Sequence, residues 1–200
     1  MKKNTFNEKL SPPLSQQKIL LNYFQKKLFD EAEKLALSVT QEYPNHQFAW
    51  KVLGAVLSQT GRNEMAVDIN QKAIEISPKD PEVHNNLGNT LREIGKLKEA
   101  EASYKKAITL KHNYAEAYYN LGNTLNVLGK LEEAALSYKK AISFKTNYLN
   151  AYNNLGFLNK KLGKLLEAEG NFRKAISLKP DFIEALINLG NTLKDLGRLD

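Results

Sequence analysis

The stretch His84-Asn85-Asn86-Leu87-Gly88-Asn89-Thr90-Leu91 decides the fold, because the chain repeats it. Residues 118–125 read Tyr-Tyr-Asn-Leu-Gly-Asn-Thr-Leu, and residues 152–158 read Tyr-Asn-Asn-Leu-Gly-Phe-Leu. The glycines of these copies belong to a series that recurs every 34 residues, namely Gly54, Gly88, Gly122, Gly156 and Gly190. A period of this length is typical of an array of stacked supersecondary units.

Each period contains two amphipathic patterns. In the first half, Leu87, Leu91 and Ile94 are three or four residues apart, which is the spacing of one face of a helix. After the turn at Gly95-Lys96 the same spacing returns in Leu97, Ala100, Tyr104, Ala107 and Ile108. We therefore predict an all-α fold in which every period holds two helices joined by a glycine turn.

Capping residues predict where some of these helices begin. Asp80 is followed by Pro81, which suits an N-cap with proline at the first helical position. Asp181 is followed three residues later by Glu184, which suggests a capping box. We expect helices to begin at both places.

A glycine inside a helix requires a compensating contact, because it costs about 1 kcal/mol relative to alanine. Gly88 lies in the middle of the first predicted helix of its period. The small residues Ala100 and Ala107 of the second helix are expected to let the two backbones approach at Gly88. Tyr104 is expected to fill space farther along.

These residues resemble the tetratricopeptide repeat (TPR) pattern, which calls for Trp, Leu-Gly, Tyr, Ala, Phe and Pro at set places. One period matches through Trp50, Leu53-Gly54, Ala66, Ala73 and Pro78, and another through Leu155-Gly156, Ala168, Phe172, Ala175 and Pro180. The chain departs from the pattern at His84, Leu186, Asn70, His112 and Thr146. The resemblance implies a right-handed TPR superhelix, an α-α solenoid whose first helices line the concave face.

The resemblance also divides the chain into repeats. It gives a polar leader at 1–12, a degenerate repeat at 13–46, in which Leu20 takes the glycine place, and full repeats at 47–80, 81–114, 115–148 and 149–182. Residues 183–200 supply a first helix and turn only. Because Leu186, Leu189, Leu193 and Leu196 would be partly uncovered there, we expect a longer natural chain or self-association through this incomplete repeat.

Composition bounds the partners and the compartment. The net charge of +7 and a basic row on the second helices, Lys105-Lys106, Lys139-Lys140 and Arg173-Lys174, would suit an anionic polymer. Glutamates one or two turns earlier favour a solvated, ion-paired face instead, so nucleic acid is not the expected partner. The absence of cysteine and of an apolar leader or spanning segment leads us to expect a cytoplasmic protein.

The sequence contains no convincing catalytic, cofactor or metal motif. The run Asp80-x-Glu82-x-His84 places alternate residues on different sides of a helix, which does not suit a metal site. The glycines of Gly122 to Gly129-Lys130 are too far apart for a phosphate-binding loop, and Leu131 follows where Ser or Thr is needed. We therefore predict no enzyme activity, no cofactor and no metal for this segment.

Asparagines are the polar residues that recur on the first helices, and they are the candidate partner-binding residues. They are Asn86, Asn89, Asn120, Asn123, Asn154, Asn188 and Asn191, with Tyr119 and Phe157 beside them. An amide offers both a donor and an acceptor, so a row of amides suits the backbone of an extended peptide. The alternative is that these amides satisfy neighbouring groups of the protein itself.

Two functions follow. The first is a scaffold for protein–protein interaction that binds a peptide or protein partner on a concave, asparagine-rich face. The alternative follows from a resemblance of the asparagine row to the TPR region of O-linked N-acetylglucosamine transferases and related bacterial TPR sulfotransferase proteins. In that case this segment is the substrate-recognition arm of a larger glycosyltransferase or sulfotransferase whose catalytic domain lies beyond Asp200.

Overall fold

The computed structural model describes residues 11–198, so most of the predicted leader at 1–12 lies outside the described residues. Within 11–198 the chain forms eleven α-helices and no strand, which confirms the predicted all-α class. The helices are α1 (Leu14–Gln25), α2 (Phe29–Glu42), α3 (Gln47–Gln59), α4 (Asn63–Ile76), α5 (Pro81–Glu93), α6 (Leu97–Leu110), α7 (Ala115–Val127), α8 (Leu131–Phe144), α9 (Leu149–Lys161), α10 (Leu165–Leu178) and α11 (Ile183–Asp195). The repeat boundaries stay a prediction.

A tight turn joins the two helices of each pair. At the α5–α6 turn, Gly95 has a φ of 76°, a left-handed conformation that glycine adopts without a Cβ penalty. Its amide donates to the carbonyl of Arg92 at 3.0 Å, and the Lys96 amide donates to the carbonyl of Leu91 at 2.9 Å. These bonds satisfy the last carbonyls of α5 and turn the chain into α6.

The chain consists of two compact units, which we call the N-terminal unit (residues 1–110) and the C-terminal unit (residues 111–200). In the N-terminal unit consecutive helices of a pair pack together, and α3 also contacts α1 and α5. In the C-terminal unit α7 packs on α8 and α9 packs on α10, while α9 also contacts α11. The odd-numbered helices therefore form one side of each unit, which we call its odd-helix face.

Aromatic rings cover the helical glycines. A Cβ atom on Gly88 would lie 2.6 Å from Cε1 of Tyr104, and Tyr138 and Phe172 meet Gly122 and Gly156 in the same way. The expectation that Tyr104 fills space farther along was therefore wrong, because its ring lies over Gly88. Ala100 and Ala107 are fully buried, but the ring of Tyr104 is the group that would clash with a side chain at Gly88.

The two predicted caps differ. The Asp80 carboxylate accepts a hydrogen bond from the Glu82 amide at 2.9 Å, and Pro81 is the first residue of α5, so this cap is confirmed. The capping box at Asp181 is wrong, because α11 begins at Ile183 and its N-cap residue is Phe182, which makes no side-chain cap. Asp181 instead lies 4.0 Å from the ammonium of Lys179.

Candidate functional site

A cavity of about 390 Å³ opens on the odd-helix face of the N-terminal unit. Side chains of α1, α3 and α5 surround it, and one residue of α4, Asn70, also lines it. Its apolar wall consists of Leu21, Phe24, Phe48, Val52 and Ala55, and its polar side includes Lys51, Glu82, Asn86 and Asn89. An open concavity with an apolar wall and a few polar groups is the usual form of a ligand site.

Lys51 joins α3 to the start of α5 at this cavity. Its ammonium donates to Asp80 Oδ2 at 3.0 Å and also bonds to Glu82 Oε2. Burial lowers the pKa of Lys51, but the hydrogen bonds that its ammonium donates to Glu82 and Asp80, together with the charges of these carboxylates, outweigh burial and raise the pKa above its usual value. Lys51 therefore stays protonated, with its charge shared between two carboxylates.

The Asp80-x-Glu82-x-His84 run does not converge on one point. Its two carboxylates bind Lys51, whereas Nε2 of His84 lies 2.9 Å from the carbonyl oxygen of Pro78. Within residues 11–198, no group of three or more His, Cys, Asp or Glu side chains is arranged to hold a metal ion.

The asparagines of α5 have different surroundings. Asn89 accepts a hydrogen bond from the Tyr104 hydroxyl at 2.8 Å through its Oδ1 atom. Asn86 lines the cavity and is half-buried, and its side-chain amide bonds to no other protein group in the described part of the chain. The side-chain amide of Asn86 therefore remains available to a ligand.

A second cavity, of about 290 Å³, lies on the odd-helix face of the C-terminal unit. Its lining includes Asn123 of α7 together with Asn154 and Phe157 of α9. Asn123 Oδ1 accepts from the Tyr138 hydroxyl at 2.8 Å and from Asn154 Nδ2 at 3.0 Å. Asn154 Nδ2 also reaches the Tyr119 hydroxyl at 3.2 Å.

These internal bonds use only half of the side-chain amide of Asn123 and half of that of Asn154. Oδ1 of Asn123 and Nδ2 of Asn154 are occupied, whereas Nδ2 of Asn123 and Oδ1 of Asn154 bond to no protein group within residues 11–198. Neighbouring groups therefore hold the amides in position while one donor and one acceptor remain at the cavity.

The remaining predicted site residues are not equivalent. Asn120 is only 8% exposed. Asn188 donates to Asn153 Oδ1 at 3.2 Å, and Asn191 is exposed. Phe157 is 46% exposed, and the Tyr119 ring packs against the ring of Tyr148, with centroids 4.9 Å apart. Asn120 is thus an interior residue, whereas Phe157 presents its ring at the cavity.

Burial raises the pKa of the Tyr148 hydroxyl well above its usual value, and the charge of Glu116 and the neighbouring Tyr119 raise it further. Tyr148 is therefore a neutral group beside Tyr119.

Sequence reasoning missed two features of these faces. One is Asn153, which is 2% exposed and donates to Glu184 Oε1 at 3.1 Å. The other is the pairing of a tyrosine with the asparagine 15 residues before it, in Tyr104 with Asn89 and in Tyr138 with Asn123. The second feature has a signal in the sequence, because both members of the pair recur with the 34-residue period.

The basic row of the even-numbered helices is exposed and partly ion-paired. Lys105 bonds to Glu101, and Arg173 donates to Glu169 Oε1 at 2.9 Å, both at a helical spacing of four residues. The predicted pairing of this row is confirmed for these two residues, and surface pairs of this kind contribute little to stability.

The fold and these faces define a helical repeat protein, and the comparisons identify the repeat. A family model described as TPR repeat matches residues 88–126 and 122–163, and two models described as tetratricopeptide repeat match residues 70–102 and residues 49–80 and 149–182. The chain belongs to the tetratricopeptide repeat family. A search of curated protein sequences found no match.

Solved structures with the same fold include MamA, which is 27% identical with a TM-score of 0.72 over 81% of this chain and 95% of that one. PilF of Pseudomonas aeruginosa is 18% identical with a TM-score of 0.84 over 92% of this chain and 84% of that one. YrrB, described as a TPR protein with an unusual peptide-binding site, is 20% identical with a TM-score of 0.68 over 88% of this chain and 91% of that one.

A membrane span was also sought in the structure. None of the helices within residues 11–198 combines the length and the apolar composition that crossing a bilayer requires.

Proposed function

We propose that this chain is a non-enzymatic interaction scaffold that binds extended protein segments on the odd-helix face of each unit. The observation that carries the proposal is the set of side-chain amide groups left open beside the two cavities. These are the amide of Asn86, Nδ2 of Asn123 and Oδ1 of Asn154. Donors and acceptors of this kind suit the carbonyl and N–H groups of a peptide backbone.

The internal bonds of these asparagines support binding rather than compete with it. Asn123 and Asn154 are fixed through one half of each amide, so less side-chain entropy is lost when the other half meets a ligand. The apolar wall of the N-terminal cavity and the exposed ring of Phe157 add surface for side chains of the bound segment.

The magnitudes predict a modest affinity for each face. One neutral hydrogen bond contributes about 0.5–1.5 kcal/mol net, so a few of them cover only part of the entropy cost of association. Selectivity then depends on side chains that enter the cavities. We propose that such binding takes place in the cytoplasm, in keeping with the absence of cysteine.

Selection from a random peptide library on the 200-residue chain tests the proposal, with affinities of the selected peptides measured by fluorescence polarisation. The double variant Asn86→Ala with Asn154→Ala should weaken binding about three- to tenfold, the effect of one hydrogen bond at whichever face a peptide uses. The matched control is Asn113→Ala, because Asn113 is exposed in the connection before α7.

The control variant should bind as the unaltered protein does. If the double variant keeps full affinity for every selected peptide while its circular dichroism is unchanged, the asparagines do not bind the partner and the proposal is wrong.

A further inference from the structure

A carboxylate on the odd-helix face of the C-terminal unit lacks the counter-ion that its equivalent in the N-terminal unit has. Glu82 and Glu184 lie three periods apart in the sequence, and each is the second residue of its helix, α5 or α11. Each side chain bonds to the residue 31 positions before it, which is Lys51 for Glu82 and Asn153 for Glu184. The same place of the repeat thus holds a cation in one unit and a neutral amide in the other.

Asn153 holds the Glu184 carboxylate in position without neutralising it. Nδ2 of Asn153 donates to Glu184 Oε1 at 3.1 Å, and Oδ1 of Asn153 accepts from Asn188 Nδ2 at 3.2 Å. Asn153 is only 2% exposed, so packing and both hydrogen bonds fix its side chain. Glu184 is exposed, and within residues 11–198 its carboxylate forms no ion pair and its Oε2 atom accepts no hydrogen bond.

The end of α11 does not replace the missing cation. Glu184 lies in the first turn of this helix, where the partial positive charge of the helix N-terminus weakly favours a carboxylate. Glu82 has the same place in α5 and nevertheless also bonds to Lys51. The C-terminal unit therefore presents a negative charge that the N-terminal unit compensates internally.

An aromatic ring lies at the same cavity as this carboxylate. Glu184, Asn153 and the exposed Phe157 all line the cavity of about 290 Å³. A guanidinium group suits this pair of neighbours, because it forms paired hydrogen bonds with a carboxylate and stacks on an aromatic face. The ammonium of Lys161 lies 5.8 Å from the centroid of the Phe157 ring, near the outer limit of a cation–π contact, so Lys161 engages the ring only loosely.

We propose that this cavity binds an arginine side chain of the bound polypeptide, with the guanidinium on the Glu184 carboxylate and against the Phe157 ring. The inference rests on the proposed function and adds the identity of one side chain in the partner. The ligand supplies to Glu184 the charge that Lys51 supplies to Glu82. Because the chain has a net charge of +7, no general attraction draws a cation to it, and binding depends on this local carboxylate.

The probe for this site is N-acetylarginine N-methylamide, and its comparison compound is the citrulline analogue, which has nearly the same shape and no charge. In a titration of the 200-residue chain followed by ¹H–¹⁵N NMR, the arginine compound should shift the backbone amide of Glu184 and the side-chain amide of Asn153. The backbone amide of Lys51 should not shift. The citrulline compound should bind about two- to fivefold more weakly, which is the range for an ion pair at an exposed carboxylate.

The variant Glu184→Gln removes the charge and keeps the shape of the side chain. It should bind the arginine compound no better than the citrulline compound, and arginine-containing peptides selected on the unaltered protein should lose about two- to fivefold in affinity. Glu132→Gln is the matched control, because Glu132 is exposed in the first turn of α8 and does not line the cavity. This control should bind as the unaltered protein does.

The variant Asn153→Lys introduces into the C-terminal unit the cation that Lys51 supplies in the N-terminal unit. It should abolish the preference for the arginine compound, since the Glu184 carboxylate then has an internal partner. Asn153 is buried, so circular dichroism must first show that this variant folds. If it does not fold, Glu184→Gln decides the question alone.

Three results would overturn the inference. They are an arginine titration that leaves Glu184 unshifted, equal binding of the two compounds, and a preference for arginine that survives Glu184→Gln. Each of them leaves the proposed function intact if the double variant at Asn86 and Asn154 still weakens peptide binding. Conversely, a loss of arginine binding on Glu184→Gln, with peptides that ignore those asparagines, would support the arginine site and contradict the binding of backbone by amides.

Discussion

The α3–α4 pair and the α7–α8 pair use the same positions of the repeat for opposite purposes. In α7–α8, Tyr138 is 1% exposed, covers Gly122 and donates its hydroxyl to Asn123, so the position belongs to the core. In α3–α4 the shorter side chain of Asn70 lies over Gly54, and both residues line the cavity of about 390 Å³. The difference shows that a helix pair can lack an internal ring and still form both of its helices.

The tyrosine and its asparagine acceptor behave as one unit in this comparison. Where the second helix carries Phe172, the position 15 residues earlier is Phe157, which makes no demand for a hydroxyl. Where it carries a tyrosine, that position is an asparagine, Asn89 or Asn123. The hydrogen bond therefore explains why these asparagines recur, apart from any role in binding.

The largest expected loss of stability comes from removing the ring of Tyr138 from the α7–α8 pair. Tyr138→Ala should lower the free energy of unfolding by about 3–5 kcal/mol, because it deletes a buried aromatic ring and leaves a cavity. Asn70→Ala should cost about 1 kcal/mol or less, since it removes one hydrogen bond together with an unsatisfied acceptor. Urea unfolding followed by circular dichroism measures both.

Equal losses in the two variants would contradict the comparison, because they would mean that Asn70 supports its helix pair as strongly as Tyr138 does. The exposed Asn113→Ala variant provides the baseline for a substitution that touches no core contact.

Alanine substitutions of the helical glycines should change stability by intermediate amounts that differ between Gly88 and Gly54. Gly88→Ala places a Cβ 2.6 Å from Cε1 of Tyr104, so the overpacking, about 1–3 kcal/mol, should exceed the gain of about 1 kcal/mol in helix propensity. At Gly54 the Cβ would come still closer to Oδ1 of Asn70, but that atom is the end of a short side chain that can turn toward the cavity. We expect Gly54→Ala to stay within about 0.5 kcal/mol of the unaltered protein.

Gly170→Ala controls for helix propensity alone. Gly170 lies exposed within α10, and apart from its chain neighbours and the backbone of its own helix nothing lies within 4 Å of an added Cβ, so this variant should gain about 1 kcal/mol. Destabilisation by Gly54→Ala as large as that by Gly88→Ala would show that Asn70 is held as rigidly as a ring.

The comparison also shows what the sequence predicts well. The period and the apolar spacing predicted helices and glycine turns, because both depend on the local backbone preferences of each residue type. The partner of Gly88 was predicted wrongly, because spacing identifies which residues face inward but not which of them, Ala100 or Tyr104, reaches a given backbone atom. The Asp181 cap failed for a related reason, since α11 begins two residues later and leaves the carboxylate outside its first turn.

The candidate site was only partly predictable. The asparagine series is visible in the sequence, but its division into a buried Asn120, a half-bonded Asn123 and an open Asn86 depends on side-chain geometry. Asn70 was recognisable as a departure from the pattern, whereas its cavity and its unsatisfied oxygen required the packing of neighbouring helices.

The smallest expected change in stability comes from breaking two ion pairs. These pairs occupy equivalent positions of the repeat, one in each unit. Arg62 donates to both oxygens of Glu33, and 136 residues later, four periods on, Arg198 donates to Glu169 Oε2 at 3.0 Å. The side chain of Arg62 is 39% exposed and that of Arg198 is 56% exposed, so solvent screens the second pair more. Glu33→Gln should cost up to about 1 kcal/mol at pH 7, and Arg198→Gln, which leaves the Glu169–Arg173 pair in place, should cost less.

The pH dependence of the Glu33→Gln effect tests its electrostatic origin. The hydrogen bond from Arg62, with the charge of Arg62, lowers the pKa of Glu33 below 4.5 against the opposing effect of burial. The folded state therefore binds this proton less readily than the unfolded chain, and the stabilisation is present above pH 4.5 and disappears as the pH falls through the folded pKa. Urea unfolding at successively lower pH should show the variant and the unaltered protein converging below pH 4.5. A difference that does not shrink as the pH falls would mean that the side chain contributes through packing and not through its charge.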